Sequence, residues 1–253
     1  MLNDEIKARS FFNPNPSVQL LNLYVRLGDK EILKSITASF TPGVHVILGR
    51  NGVGKTTMLR VIAGLVKFNG EVRVFGRSIR EFNRKELSRF VAYCWQNPYY
   101  GFMEATVEDE IRAILKTLGV KGDWKIVELL VPREFVERDP TSLSGGEAKR
   151  VSMASMLVAD QPIWLLDEPF TYLDREGVEA VIKLIEYGRQ RGKTIIISLH
   201  ELHYASMFQP DTYLVINNGS VASLGLWRDI TDEILKGAGL VTKGEICASL
   251  HCH

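Results

Sequence analysis

Residues 44 to 57, VHVILGRNGVGKTT, decide the fold. Val44 to Leu48 (VHVIL) form an apolar run, which is how a strand buried on both faces of a parallel sheet reads. Glycines follow at 49, 52 and 54, and a helical stretch is expected from Lys55 to Leu65. Within that strand, loop and helix, Gly49-Arg50-Asn51-Gly52-Val53-Gly54-Lys55-Thr56 matches G-x-x-x-x-G-K-[ST]. In such a loop main-chain N–H groups wrap phosphate oxygens, the lysine reaches the β and γ phosphates, and the threonine hydroxyl ligates Mg²⁺. A plain glycine-rich turn is the competing reading. At ordinary glycine usage the pattern arises by chance in about one chain of this length in a hundred, and a plain turn must also account for the buried strand and the helix around it.

Outward from this segment, VQLLNLYVRL at 18–27 and ILKSITASF at 32–40 read as strands around a turn at Gly28 and Asp29, with EVRVF at 71–75 a third. FVAYCW at 90–95 suggests another strand. Helical spacing runs over 106–131, where Val107, Ile111, Ile114, Leu115 and Leu118 mark one face, within a helical insert placed at about 99–142. After it come a helix from the 144 region, the strand IWLL at 163–166, a helix with Val178, Val181, Ile182 and Ile185 on one face, and the strand TIII from Thr194. Strands alternating with helices imply right-handed crossovers and a parallel sheet. Asn218-Gly219, between strand-like runs in 213–224, predicts a hairpin. No internal repeat or low-complexity segment interrupts this order.

The 253 residues, 45% hydrophobic, suit one large domain or a core with a smaller subdomain. A net charge of +1, from 31 basic and 30 acidic residues, gives no reason to expect a nucleic-acid partner. The densest basic stretch, Arg77 to Arg89, is interrupted by Glu81 and Glu86 and reads as a solvated helix face. Cys94, Cys247 and Cys252, an odd number, suggest a reducing compartment. The N-terminal residues lack a cleavable apolar core, and no apolar run approaches the ~18 residues that span a bilayer. In the terminal ICASLHCH, Cys247, His251, Cys252 and His253 could ligate a soft metal; three of these are adjacent in sequence, a poor tetrahedral geometry, and a disordered tail is the preferred reading.

A second glycine cluster needs its own explanation. In TSLSGGEAKR (141–150), Ser144 and Glu147 form a capping box that starts a helix unaided. Gly145 and Gly146 then each cost ~1 kcal/mol of helix propensity relative to alanine. Glycines at a helix N-terminus let an anion approach the exposed N–H groups, so a second phosphate contact is expected there. Asp167 and Glu168 close the strand IWLL at the carboxyl edge, where ligands bind open α/β sheets. Beside a phosphate loop Asp167 can orient Mg²⁺ and Glu168 can polarise the attacking water; alone, the pair would read as strand-end solubilising acids. The amide of Gln96 can sense Mg²⁺ or that water. Gln96 and His200 individually read as ordinary strand-end residues and gain weight only together with the rest.

Taken in order, GRNGVGKTT, Gln96, LSGGE, IWLLDEP, Leu173-Asp174 and His200 resemble the ATP-binding subunits of ABC transporters, from about Val18 to Gly225. The resemblance implies a P-loop NTPase fold with a RecA-like parallel-sheet core, an antiparallel β subdomain and a helical insert. A single domain is expected: about 1–98 and 143–225 for β subdomain and core, about 99–142 for the helical subdomain, and 226–253 as a short C-terminal tail. It further implies Walker A at Gly49 to Thr57, a Q-loop at Gln96, a signature at Leu143 to Glu147, Walker B at Ile163 to Asp167, catalytic Glu168, a D-loop at Leu173-Asp174 and a switch histidine at His200. In the family one subunit's signature helix covers the γ-phosphate on another subunit's P-loop, so two ATP molecules are sandwiched in a head-to-tail dimer. Ser144, Gly145, Gly146 and Glu147 are thus expected at a nucleotide held by a second subunit, identical or not.

Four positions depart from the family pattern. Leu27 stands where an aromatic usually stacks on adenine, and Tyr24 is expected on the other face of its strand. Thr171 and bulky Tyr172 replace the small residues before Leu173-Asp174, and Glu147 replaces a commoner glutamine. QNP at 96–98 with TVEDEI at 106–111 is similar to the energy-coupling-factor importers of cobalt and vitamins. The first expectation is therefore a Mg²⁺-dependent ATPase on the cytoplasmic face of the membrane, moving separate integral membrane subunits docked near Gln96 to Glu110. The alternative is a soluble ABC protein acting as a nucleotide-gated interaction module, for example in iron–sulfur assembly. A nucleic-acid ABC ATPase is disfavoured by the neutral charge and by the lack of a long coiled-coil insert.

Overall fold

The apolar residues of the first strand change phase partway along it: Val18 and Leu20 are buried, then Leu23 and Val25, with one extra residue between the pairs. Asn22 absorbs the slip as a bulge at φ 48°, which lets both halves of the strand face one core. The computed structural model describes residues 16–242 and Glu245. This first strand is β1 (Val18–Leu27), followed by β2 (Lys30–Phe40), β3 (Gly43–Leu48), α1 (Lys55–Ile62), β4 (Asn69–Val74), β5 (Arg77–Ser78), α2 (Arg84–Leu87) and β6 (Val91–Cys94). The insert carries α3 (Val107–Leu118) and α4 (Trp124–Leu130). Next come α5 (Gly145–Leu157), β7 (Ile163–Asp167), α6 (Arg175–Gln190), β8 (Thr194–Leu199), α7 (Leu202–Phe208), β9 (Thr212–Asn217), β10 (Ser220–Leu226) and α8 (Asp232–Gly237).

These strands make a four-stranded antiparallel sheet, β2-β1-β4-β5, and a six-stranded sheet, β10-β9-β3-β8-β7-β6. The six-stranded sheet is parallel except for β10, which returns antiparallel on β9 through the predicted Asn218-Gly219 turn. Alternation along its strands feeds two cores. Ile47, Tyr93, Ile163, Leu165 and Ile196 pack with α1 and the four-stranded sheet, while Val46, Trp164, Leu166 and Ile197 pack with α5, α6 and α7 on the opposite face. A sheet covered on both faces explains why β3, β7 and β8 read as predominantly apolar runs.

Several boundaries move from their sequence positions for local reasons. The helix expected to run from Lys55 to Leu65 ends at Ile62, ahead of Gly64 at φ 72°. The third strand begins at Asn69 rather than Glu71. The helical span 106–131 divides in two: Gly119 closes α3 in a left-handed C-cap and Asp123 caps α4 through the Lys125 N–H. The basic stretch 77–89 is a short strand, a 3₁₀ turn and α2 rather than one helix face, and it is surface-paired, with Arg77 to Glu81 at 3.5 Å and Arg80 to Glu71 at 3.4 Å. The region set apart as a tail from 226 is core through Ala238, with Trp227, Ile230, Leu235 and Ala238 buried. Cys247, His251, Cys252 and His253 lie outside the described residues. Among the described residues no helix is long and apolar enough to cross a membrane.

Candidate active site

Sheet order delivers the site. The neighbouring parallel strands β3, β8, β7 and β6 end at one edge, so the segments leaving them stand side by side: the glycine loop after Leu48, His200 after Leu199, Glu168 after Asp167, and Gln96 beyond Cys94. Gly54, the N-cap of α1, has φ 112°, and a Cβ there would sit 2.5 Å from Leu33 Cδ2, so only glycine fits this loop against the small sheet. Arg50, Asn51 and Gly52 form the exposed tip, Gly49 and Gly54 the buried roots, and Val53 and Thr57 are half-buried.

Lys55 is almost fully buried, and its Nζ donates to the carbonyls of Gly49 at 2.7 Å and Arg50 at 3.3 Å. It also lies 3.5 Å from Glu168 Oε1. Burial pulls the lysine pKa below its ordinary value, against the opposing pull of Glu168 and Asp167. The buried Asp167 carboxylate accepts from the hydroxyls of Thr56 at 2.9 Å, Ser198 at 2.6 Å and Tyr93 at 2.9 Å. Glu168 adopts φ 48°, a conformation that costs a non-glycine residue energy and that its surroundings enforce. Its N–H donates to Ser198 Oγ at 3.0 Å, and its Oε2 lies 2.5 Å from His200 Nδ1. His200 Nε2 in turn lies 3.1 Å from Glu201 Oε1.

The structure therefore brings Lys55, Thr56, Asp167, Glu168 and His200 together. The Gln96 side chain is exposed, and the main chain ties this residue in: its carbonyl accepts from Lys149 Nζ at 3.0 Å. Ser144, Gly145, Gly146 and Glu147 sit elsewhere, at the N-terminus of α5, with the capping box formed as the sequence predicts. They line a separate cleft of about 330 Å³ with Arg150, Tyr172 and Asp174, to which no residue of the glycine loop contributes. Leu27 is exposed at the end of β1, in phase with buried Val25, while Tyr24 points to the opposite face.

Hydroxyl and carboxylate oxygens on Thr56 and Asp167, within hydrogen-bond distance of each other, form the hard-oxygen pair that suits Mg²⁺. A lysine ammonium at the root of a glycine loop that opens on a helix N-terminus suits a polyphosphate. Sequence reasoning missed Tyr93, Ser198 and Lys149. Tyr93 and Ser198 are strand residues whose neighbours depend on which strands lie side by side. Lys149 sits on a helix buried nearly all round, with Ala148, Val151, Ser152 and Met153 also buried, so no polar face marks it. Burial lowers its pKa to about 8.

The family model described as ABC transporter matches residues 33–171, more than half of the chain, a span that includes Lys55, Thr56, Asp167 and Glu168 and ends before Ser198 and His200. The chain belongs to the ABC transporter ATP-binding family. This family member is 33% identical to the energy-coupling factor transporter ATP-binding protein EcfA1 of Thermotoga maritima, over 85% of this chain and 84% of that one. It is likewise 33% identical to EcfA of Pediococcus pentosaceus, over 86% and 81%. Its fold matches a structure titled as the ATP binding subunit of an ABC transporter, with a TM-score of 0.75 and 23% identity over 92% and 99% of the two chains. A dimeric bacterial ABC transporter cassette matches at a TM-score of 0.72 and 23% identity, over 84% of this chain and 100% of that one.

Proposed function

We propose that this ABC protein is the ATP-hydrolysing subunit of an importer, working as one half of a head-to-tail pair docked on separate membrane subunits. The observation that carries the chemistry is the contact of Glu168 with Lys55 on one side and His200 on the other. Lys55 neutralises the phosphates, Glu168 Oε accepts the proton of the attacking water, and His200 Nδ1 holds the carboxylate in line. General-base assistance of this kind is worth about 10² to 10⁴ in rate. Thr56 and Asp167 would hold Mg²⁺, with Gln96 as a further contact, and the ion would supply Lewis-acid neutralisation of phosphate charge.

Ser144, Gly145, Gly146 and Glu147 complete the site on a second subunit. The helix N-terminus at Ser144, Gly145 and Gly146, the positive end of its dipole, lines the 330 Å³ cleft, which supports a role as anion donor to a nucleotide bound elsewhere. Transport through other chains fits the absence of a membrane-length helix among the described residues. It also fits an apolar groove of about 350 Å³ between core and insert, lined by exposed Leu65, half-buried Trp95, Ile114 and Met156, and buried Leu87 at its floor. Import is the direction that the likeness to energy-coupling factor transporter ATP-binding proteins supports. The insert at about 99–142 acts as the helical subdomain of one ATPase domain lying on the cytoplasmic face of the membrane.

Gentle-detergent purification of the tagged chain tests the transport half, with an integral membrane protein expected to copurify. Recovery of a purely water-soluble complex would favour a nucleotide-gated interaction module instead. Phosphate release from ATP by the purified chain, lost in Glu168→Gln, tests the hydrolytic half separately.

A further inference from the structure

Lys149 lies in the middle of α5 with no solvent exposure at all, among the largest fully buried side chains of the protein. Its Nζ donates to three main-chain carbonyls: Trp95 at 2.8 Å, Gln96 at 3.0 Å and Asp167 at 3.2 Å. That is the full donor capacity of an ammonium. The carbonyls belong to two segments far apart in sequence, one leaving β6 toward Gln96 and the other ending β7 at the acidic pair. No carboxylate forms a salt bridge with Lys149 among the described residues. Burying an ammonium costs desolvation that an apolar side chain of similar length avoids, so packing alone does not explain a lysine here.

The third contact is the most informative. The Asp167 carbonyl and the Glu168 N–H are the two ends of one peptide unit. Lys149 holds the oxygen, and Ser198 Oγ accepts from the N–H at 3.0 Å. With both ends pinned, the peptide plane is fixed, and the chain enters Glu168 at φ 48°, a conformation that needs such support. The direction in which the Glu168 side chain leaves the backbone follows from that plane.

We propose that Lys149 is a positioning residue for hydrolysis: it fixes the 167–168 peptide and the start of the Gln96 loop relative to the helix that begins at Ser144. This rests on the hydrolytic reading of Glu168 given above. Because the ammonium sits on α5 itself, a displacement of the Ser144 end carries directly to both segments. One side chain thereby joins the region that meets a second subunit to the water-activating group of its own subunit.

The test compares steady-state ATP hydrolysis by the full chain with that of Lys149→Met and Lys149→Gln, alongside thermal melting. Methionine fills the same space without donors; glutamine keeps two. The expected result is unchanged KM for Mg-ATP within about twofold, kcat at least tenfold lower in Lys149→Met, an intermediate kcat in Lys149→Gln, and a melting temperature for Lys149→Met no lower than that of the unaltered chain. If Lys149→Met does not fold, the same KM-against-kcat split is read on Lys149→Gln. A kcat within twofold of the unaltered chain in the folded variants, or a loss that tracks melting temperature, overturns the proposal. Absence of hydrolysis by the unaltered chain, or its retention in Glu168→Gln, would instead remove the reading of Glu168 on which the proposal stands.

Discussion

Lys55 Nζ lies 3.5 Å from Glu168 Oε1, and both side chains are almost entirely out of solvent. The two groups assigned to opposite tasks, neutralising phosphate and activating water, thus neutralise each other. A polyphosphate that engages Lys55 competes with Glu168 for the ammonium, and the same competition frees the carboxylate to accept a proton.

Glu168→Gln removes the base and releases Lys55 from its ion pair while keeping the shape of the side chain. Hydrolysis is expected to fall about 10³-fold, within the usual range for loss of a general base. ATP affinity should be retained or increased. Phosphate release and equilibrium binding measured on one preparation check both halves, and retention of more than a tenth of the activity would count against the assignment.

Asp167→Asn keeps an acceptor for Thr56 and Ser198 but discards the negative charge. The Mg²⁺ concentration for half-maximal hydrolysis should rise about 10- to 100-fold, as for loss of a supporting metal contact. Nucleotide binding in the presence of chelator should change little. An unaltered Mg²⁺ titration would remove Asp167 from the metal.

Much of this arrangement is legible in the sequence because the glycine loop, Gln96, Glu168 and His200 each sit where a strand of the parallel sheet ends. The apolar runs at 44–48 and 163–166 and the strand from Thr194 fix those ends, and the residues after them converge once the strands are parallel neighbours. Sequence cannot give strand order, so the hydroxyls of Tyr93 and Ser198, which meet on Asp167 from β6 and β8, stayed hidden. Nor could it show that Trp227 to Ala238 belongs to the core, because a short segment at the end of the motif order reads as a tail until the surface it covers is known.

Gly146 is constrained more tightly than Gly145. A Cβ at 146 would lie 2.8 Å from the main-chain oxygen of Tyr172, whereas one at 145 would lie 3.4 Å from the Tyr172 Cβ, an ordinary contact. Gly146→Ala should therefore destabilise the chain by about 1–3 kcal/mol through overpacking. Gly145→Ala should stay within about 1 kcal/mol of neutral, helped by alanine's helix propensity. Urea unfolding of both variants decides it, and equal midpoints would mean that the Tyr172 backbone does not limit this turn.

His45 supplies a pH dependence. Its Nε2 lies 2.7 Å from the Thr41 carbonyl, which can only accept, so Nε2 carries a proton and Nδ1 accepts from the Thr212 hydroxyl at 2.7 Å. Burial lowers its pKa from 6.5, opposed by the Thr41 hydrogen bond and Asp211. The unfolded chain then binds more protons below pH 6.5, so stability present above that value is lost as pH falls through the folded pKa. The slope is at most about 1.4 kcal/mol per pH unit for one proton. Urea midpoints taken from pH 8 to 5.5 should show this fall in the unaltered chain and a flatter profile in His45→Gln; identical profiles would place the acid sensitivity elsewhere.

The claim that each chain carries half of two reaction centres is tested most directly by the mass in solution of Glu168→Gln with saturating Mg-ATP. Light scattering should report twice the mass found without nucleotide, and adding Gly145→Asp, which places a carboxylate where the second phosphate is to be met, should return the protein to a single chain. A single-chain mass for Glu168→Gln at every ATP concentration, or undiminished pairing with Gly145→Asp, would contradict it.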